Sequence, residues 1–253
     1  MNRIAKAFEG GKAFIPFITG GDPTIDTTEK LLRALDKSGA DIIQIGVPFS
    51  DPIAEGAVVE AATERALKNG CTVDVLFDML QRVRADINAA IVFMTYYNPI
   101  YAYGVEKFIA RAKSCGLDGL VVPDLPFEER GELLSPCQNS NLELISLIAP
   151  TSESRIDHIA KNSTGFLYCL SSLGESDACD TAAKHMIKCA KAANDIPCCI
   201  AVDFSDATHA KELSKFADGI IIGDAIVALV AQHGENSADT VYSFAKRIKT
   251  AIS

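Results

Sequence analysis

The feature that most narrows what this chain can fold into is a regular alternation of two kinds of segment. Eight short apolar runs recur along it: Ala13–Thr19, Asp41–Ile45, Ala90–Thr95, Gly119–Val122, Leu142–Ile148, Gly165–Leu170, Pro197–Val202 and Asp218–Ile222. Each is four to seven residues long and rich in β-branched or aromatic side chains, the signature of a strand buried on both faces. Between them lie stretches with helical periodicity. Thr27–Ser38 carries Leu31, Leu32 and Leu35 on one face, and Val73–Val83 repeats Val75, Leu76, Met79, Leu80 and Val83. Val105–Ala112 and Ala207–Phe216 follow the same pattern. Strand–helix alternation implies a parallel sheet. Eight such units in 253 residues close most simply into a single-domain (β/α)8 TIM barrel spanning 1–253. An open doubly wound sheet is the runner-up. Against it, the first run is followed by Thr19-Gly20-Gly21-Asp22-Pro23 and not by the G-x-G-x-x-G of a dinucleotide fold.

Composition narrows the function classes. Acidic residues outnumber basic ones 33 to 24, giving a net charge of −9, and no Lys/Arg block stands out, so a nucleic-acid partner is not expected. Eight scattered cysteines form no C-x-x-C pair and read as reduced, mostly buried thiols; neither a metal site nor a disulfide scaffold is expected. The N-terminal Met-Asn-Arg-Ile-Ala-Lys lacks the apolar stretch of a signal peptide, and no apolar run approaches the roughly 18 residues of a membrane span. The expectation is a cytoplasmic protein that does not bind membranes. His158, His185, His209 and His233 fall on helices or loops away from the strand ends and read as surface residues. Gly-Ala-Asp at 39–41, Gly-Leu-Asp at 116–118 and Ala-Asp-Gly at 217–219 read as recurring helix-to-strand turns on the face that stabilises the barrel.

In a barrel of this type the chemistry sits where the strands end. Strand two exits into Gln44-Ile45-Gly46-Val47-Pro48-Phe49-Ser50-Asp51-Pro52-Ile53-Ala54-Glu55-Gly56, and strand three into Tyr96-Tyr97-Asn98-Pro99. Strand four exits into Pro123-Asp124-Leu125-Pro126-Phe127-Glu128, and strand six into Ser171-Ser172-Leu173-Gly174. These segments, with Phe14-Ile15-Pro16-Phe17 near the start and Gly223-Asp224-Ala225-Ile226-Val227 near the end, resemble the tryptophan synthase alpha chain over nearly the whole sequence. The G-V-P-F-S-D-P stretch is its most specific part.

The resemblance implies retro-aldol cleavage of indole-3-glycerol phosphate to indole and glyceraldehyde 3-phosphate, without a cofactor, the indole passing to a beta subunit. That chemistry uses two carboxylates on opposite sides of the substrate to move protons. The strand-two carboxylate of the family falls at Gln44, whose amide cannot take or give a proton near pH 7. The other, usually Asp, falls at Glu55. Tyr168 belongs with them at the catalytic centre. Phe17, Met94, Val121 and Tyr168 map to the indole pocket and its walls, where Val202 replaces a family Phe. Pro48, Asp51, Asn98, Asp124 and Pro126 map to loops facing the beta subunit.

The family grips phosphate with backbone amides of neutral, glycine- and serine-rich turns after strands six, seven and eight. Here those turns contain Gly174 with Asp177, then Asp203, then Gly223 with Asp224, so each has gained an acid. A dianion about 6 Å from one carboxylate meets repulsion of about 5 kcal/mol at an effective dielectric of about 20. A helix N-terminus offers only about 0.3–2 kcal/mol in return. The alternative for Asp203 and Asp224 is that they cap helices seven and eight. Ser176 stands where the family carries a lid threonine, and the lid looks short. Three readings remain open: a divergent homologue whose lyase activity is lost or strongly reduced and that binds another ligand or modulates a beta subunit; an active lyase relying on Glu55; and a site where Asp177, Asp203 and Asp224 converge on a cation or an amine.

Overall fold

The computed structural model describes residues 2–170, 177–202 and 207–253, with the side chains of residues 153 and 177–180 outside that description. Eight parallel strands close a barrel in chain order: β1 (Ala13–Thr19), β2 (Ile42–Gly46), β3 (Ala90–Met94), β4 (Gly119–Val121), β5 (Glu143–Ile148), β6 (Leu167–Leu170), β7 (Cys198–Val202) and β8 (Gly219–Ile222). Pairing of β8 with β1, from Ala13 opposite Gly219 to Pro16 opposite Ile222, completes the ring and excludes the open sheet.

Strand alternation sorts the core into two layers. Ala13 and Ile15, Ile42, Ala90 and Val92, Val121, Ile145, Tyr168, Cys199 and Ile221 fill the barrel interior, closed from below by Ile4 of the short helix Arg3–Lys6. The outward set, including Phe14, Ile43, Phe93, Leu120, Leu144 and Ile220, packs beneath the helices. Helix Ile25–Ser38 starts two residues before the periodic stretch because Thr24 caps it, its hydroxyl accepting from the Thr27 amide at 3.1 Å. Helix Val73–Val83 has the bounds its periodicity predicts. Helix Val105–Ser114 runs two residues further than its apolar face, and helix Ala207–Ser214 stops two residues sooner.

The three turns singled out in the sequence share one physical device. Asp41 Oδ2 accepts from the Phe14 amide at 2.7 Å, Asp118 Oδ2 from the Ile91 amide at 2.8 Å and Asp218 Oδ2 from the Cys198 amide at 2.9 Å. Each aspartate precedes an even-numbered strand and ties down the strand before it. Each carboxylate also meets a cation: Lys249 at 2.8 Å, Arg84 at 3.0 Å and Lys191 at 2.7 Å respectively. Gly39 (φ +95°) and Gly116 (φ +78°) supply the left-handed turns that bring two of these aspartates into place. These carboxylates sit just ahead of β2, β4 and β8, so the two runs that opened on an aspartate at 41 and 218 begin one residue later as strands.

The seven cysteines described in full are free thiols, all buried except the half-buried Cys189. His158, His185 and His233 are exposed and His209 is half-buried. Among the described residues, no helix is long and apolar enough to cross a membrane.

Arg84 is 8% exposed and donates to the carbonyls of Gly116, Ile87 and Ala89 as well as to Asp118. Asp118→Ala would leave this buried guanidinium without an anion. The variant is expected to lose about 3–5 kcal/mol in urea unfolding, with an unchanged denaturant slope. A loss under about 1 kcal/mol, as for a surface pair, would contradict the role given to this brace.

Candidate active site

The C-terminal ends of the strands surround a cavity of about 190 Å³. Phe17 of β1, Met94 of β3, Tyr168 and Leu170 of β6, Ala201 and Val202 of β7 and Ile221 of β8 form its floor and walls. Ala54, Glu55 and Gly56 close one side, and Gly223 and Asp224 face the opening near them. Four of the five residues assigned to the pocket from sequence thus line one space. Val121 is fully buried in the barrel interior, in register beside Met94 of the cavity wall. Gly46 is what lets Phe17 reach the floor, since a Cβ at position 46 would lie 2.5 Å from Phe17 Cζ.

Gln44 points into the barrel just beneath this space. It pairs in register with Phe17 on one side and Val92 on the other, and is 1% exposed. Its Nε2 donates to Met94 Sδ at 2.8 Å. A thioether is a weak acceptor. The amide is therefore held by packing more than by strong polar partners, and it presents no ionisable group to the cavity.

Glu55 has a more specific setting. Loop 47–56 leaves β2 and ends at Gly56, the N-cap of helix Ala57–Lys68, which has no side-chain cap. The loop is anchored by Tyr96, which is 3% exposed and leans against Phe49 with ring centroids 5.5 Å apart. The Tyr96 hydroxyl accepts from the Ile53 amide at 3.0 Å and the Ala54 amide at 2.9 Å, and donates to Glu55 Oε2 at 2.6 Å. Burial, with the Glu55 hydrogen bond second, pushes the phenol up to about 12, so it remains a donor. Burial also raises the Glu55 carboxyl above its ordinary 4.5; the Tyr96 bond pulls it down, and nearby Glu60 pushes it further up. The helix that follows is tied to the β1 loop by a two-pronged pair, Arg65 Nε to Asp22 Oδ1 and Nη2 to Asp22 Oδ2, both 2.8 Å, with Asp22 2% exposed.

Tyr96 was not singled out by sequence reasoning. Its signal was available: an aromatic hydroxyl two residues past the end of β3, on the face where barrel chemistry is built.

Asp224 corrects one reading. It does not cap helix Asp224–His233; Gly223 is the N-cap, and Asp224 is the first helical residue. Its carboxylate still lies across the mouth, since a Cβ at Gly56 would be 3.6 Å from Asp224 Oδ2. An acidic side chain thus stands beside Gly56, at the helix N-terminus where a neutral turn would leave room for an anion. Gly174, Ser176 and Asp203 lie outside the described residues, as does the side chain of Asp177. Among the described residues, no group of three or more His, Cys, Asp or Glu side chains is arranged to hold a metal.

On the adjoining face, Asn98, Asp124 and Pro126 share an open groove of about 660 Å³ with Tyr97, Tyr101 and Glu132. Tyr101 is 67% exposed there, and Ile53 is 78% exposed on the Glu55 loop. Asp124 is turned inward, accepting twice from the Tyr97 amide at 2.9 and 3.1 Å. Pro48 and Asp51 sit on the Glu55 loop and do not line this groove.

The raised Glu55 carboxyl has a linked effect on stability. The folded state holds this proton more tightly than the unfolded chain does. The resulting stabilisation is complete below about 4.5 and is lost as pH rises through the higher folded value. Glu55→Gln removes this titration. In thermal unfolding, the variant is expected to gain on the parent between pH 4.5 and neutrality, and to hold a constant difference above that. A variant that loses stability relative to the parent as pH rises through this range would contradict the assigned direction.

The architecture and sequence match known proteins throughout. Residues 4–253 match the family model described as tryptophan synthase alpha chain. The tryptophan synthase alpha chain of Thermoanaerobacter sp. (strain X514) is 39% identical over 263 residues, covering 100% of both chains. That of Halalkalibacterium halodurans is 41% identical over 237 residues, covering 92% of this chain and 89% of the relative. Among solved structures, tryptophan synthase subunit alpha from Legionella pneumophila str. Paris superposes with a TM-score of 0.91 at 32% identity, covering 100% of this chain and 98% of the other. A chain of the tryptophan synthase complex from Pyrococcus furiosus gives 0.87 at 32% identity, covering 95% and 98%. With eight strands closed in the same barrel and a match running from end to end, the chain belongs to the tryptophan synthase alpha chain family.

Proposed function

We propose that this chain is an alpha-chain homologue in which cleavage of indole-3-glycerol phosphate is lost or strongly reduced, and that its barrel now serves as a binding or regulatory partner of a beta subunit. The observation that carries this reading is Gln44. It is buried under the cavity and bonded to the Met94 thioether, at the position where the family's reaction needs a group that ionises. A positioned acid–base group contributes about 10²–10⁴-fold, and an amide of the same shape forfeits that contribution. Asp224 supports the reading independently, because a phosphate at the start of helix Asp224–His233 would meet its carboxylate.

Support for the partner comes from the surface. The groove holding Asn98, Asp124 and Pro126 is open, with Tyr101 projecting beside it, and the related Pyrococcus furiosus chain belongs to a tryptophan synthase complex. An exposed aromatic beside fixed polar groups is the kind of surface a protein partner covers.

A second reading has one observation in its favour. The Tyr96 bond and burial hold Glu55 in a defined place with a raised proton affinity, which suits a lyase using this carboxyl alone. The two readings differ under mutation. Steady-state indole release, measured alone and with a beta subunit, should lie well below that of an ordinary alpha chain. Gln44→Glu combined with Asp224→Ser should raise it by about 10²-fold or more, with each single change giving less. Parent turnover within about tenfold of an ordinary alpha chain, unaffected by Gln44→Glu and abolished by Glu55→Gln, would establish the second reading instead.

A further inference from the structure

A larger cavity, about 370 Å³, opens beside the mouth between the β4 exit loop and the β5 exit. It shares Ala54 and Leu170 with the candidate active site, so the two spaces adjoin. Its volume is within the range of small-molecule sites. The neutral turns of the β8 side have become acidic at Asp224, whereas this side of the mouth carries a buried cation.

That cation is Arg130, 9% exposed. Its guanidinium carbon lies 3.7 Å from the centroid of the Phe127 ring. Nη1 donates to Ser146 Oγ at 3.0 Å and Nη2 to the Asn162 carbonyl at 2.6 Å. These partners are neutral, and no carboxylate among the described residues forms an ion pair with Arg130, whereas Arg84, the other buried arginine, pairs with Asp118. A desolvated guanidinium without an anion is costly. The other charges of the cavity are already matched. Arg155 is held by Glu128 at 3.1 Å, and Asp124, the one carboxylate in the lining, is turned to the Tyr97 amide. Two hydroxyls complete the polar side. Ser146 Oγ accepts from Arg130, and Ser152 Oγ accepts from the Ala149 amide at 3.2 Å. Among the described residues, neither hydroxyl donates its own hydrogen in any hydrogen bond, so both can donate to a ligand. Leu125, Ile148 and Leu170 supply an apolar wall.

We propose that this cavity is a binding site for a small organic carboxylate, with Arg130 as counter-ion, the Ser146 and Ser152 hydroxyls as donors, and the apolar wall taking the rest of the ligand. One uncompensated positive charge matches a monoanion. A phosphate dianion would need a second free cation, and Arg155 is already paired. Guanidinium–carboxylate hydrogen bonds are charge-assisted and geometrically specific. The inference does not depend on whether lyase activity has been lost.

The test uses the full chain and 3-phenylpropionate as probe, with its neutral amide and inorganic phosphate as controls, read by calorimetry and by backbone amide shifts. The carboxylate should bind at least about tenfold more tightly than the amide and than phosphate. Shifts should concentrate at 124–130 and 144–152. Arg130→Gln should weaken the carboxylate by about tenfold or more and leave the amide unchanged, while Arg130→Lys and Ser146→Ala lose less. The comparison of carboxylate with amide on the unmutated protein holds even if Arg130→Gln fails to fold. Equal binding of carboxylate and amide, tighter binding of phosphate, or no carboxylate-specific shift up to about 10 mM would overturn the proposal.

Discussion

The structure depends on how its barrel is fastened at one end. Three aspartates, at 41, 118 and 218, each accept a backbone amide from the preceding strand and each meet a cation, from buried Arg84 to exposed Lys191. Backbone amides at the start of a strand have no partner within their own segment, and a fixed carboxylate satisfies them while locking strand order and register. All of this lies at the N-terminal end. The opposite end carries the candidate active site and the cavity beside it, where side chains can change while this fastening holds the barrel together.

That division explains how a chain can match its relatives from end to end and still differ where chemistry occurs. Gln44 keeps the shape and burial of a strand-end side chain, so the packing around Phe17 and Met94 accepts it. Tyr96 keeps the 53–55 loop in place whatever acid stands at position 55, because two of its three hydrogen bonds are to backbone amides. Asp224 takes a first-turn position where a helix tolerates a negative charge, at the expense of the space where an external anion would rest. Each local environment is satisfied on its own terms, so the fold accepts these side chains without strain on its neighbours.

Much of this was legible in the sequence. The eight strands followed from apolar runs whose length and β-branched content allow little else, and six of them differ from their sequence bounds by a single residue at one or both ends. Gly165 and Phe166 fell outside β6 because the chain turns there: Gly165 has φ +71°, and a Cβ would lie 2.8 Å from Ile145 Cδ1. The candidate site was legible where a motif fixed position, as at Gln44 and Glu55. It was not legible where the role depends on reach across the fold. Tyr96 and Arg130 act on partners 41 and 16 residues away, through the bonds to Glu55 and Ser146, and no local pattern encodes those meetings. For Val121, alternation gives its inward direction, and the pairing that sets it beside Met94 is visible only in the closed barrel.

Gln44 bears on the chemical step, and a single turnover isolates that step from binding and product release. Indole formation should be followed in a single turnover, with the protein and a beta subunit in excess over indole-3-glycerol phosphate. Indole formation at least about 10²-fold slower than that of an ordinary alpha chain is expected. A full burst of indole at an ordinary rate, from a protein that still carries Gln44 and Asp224, would contradict it.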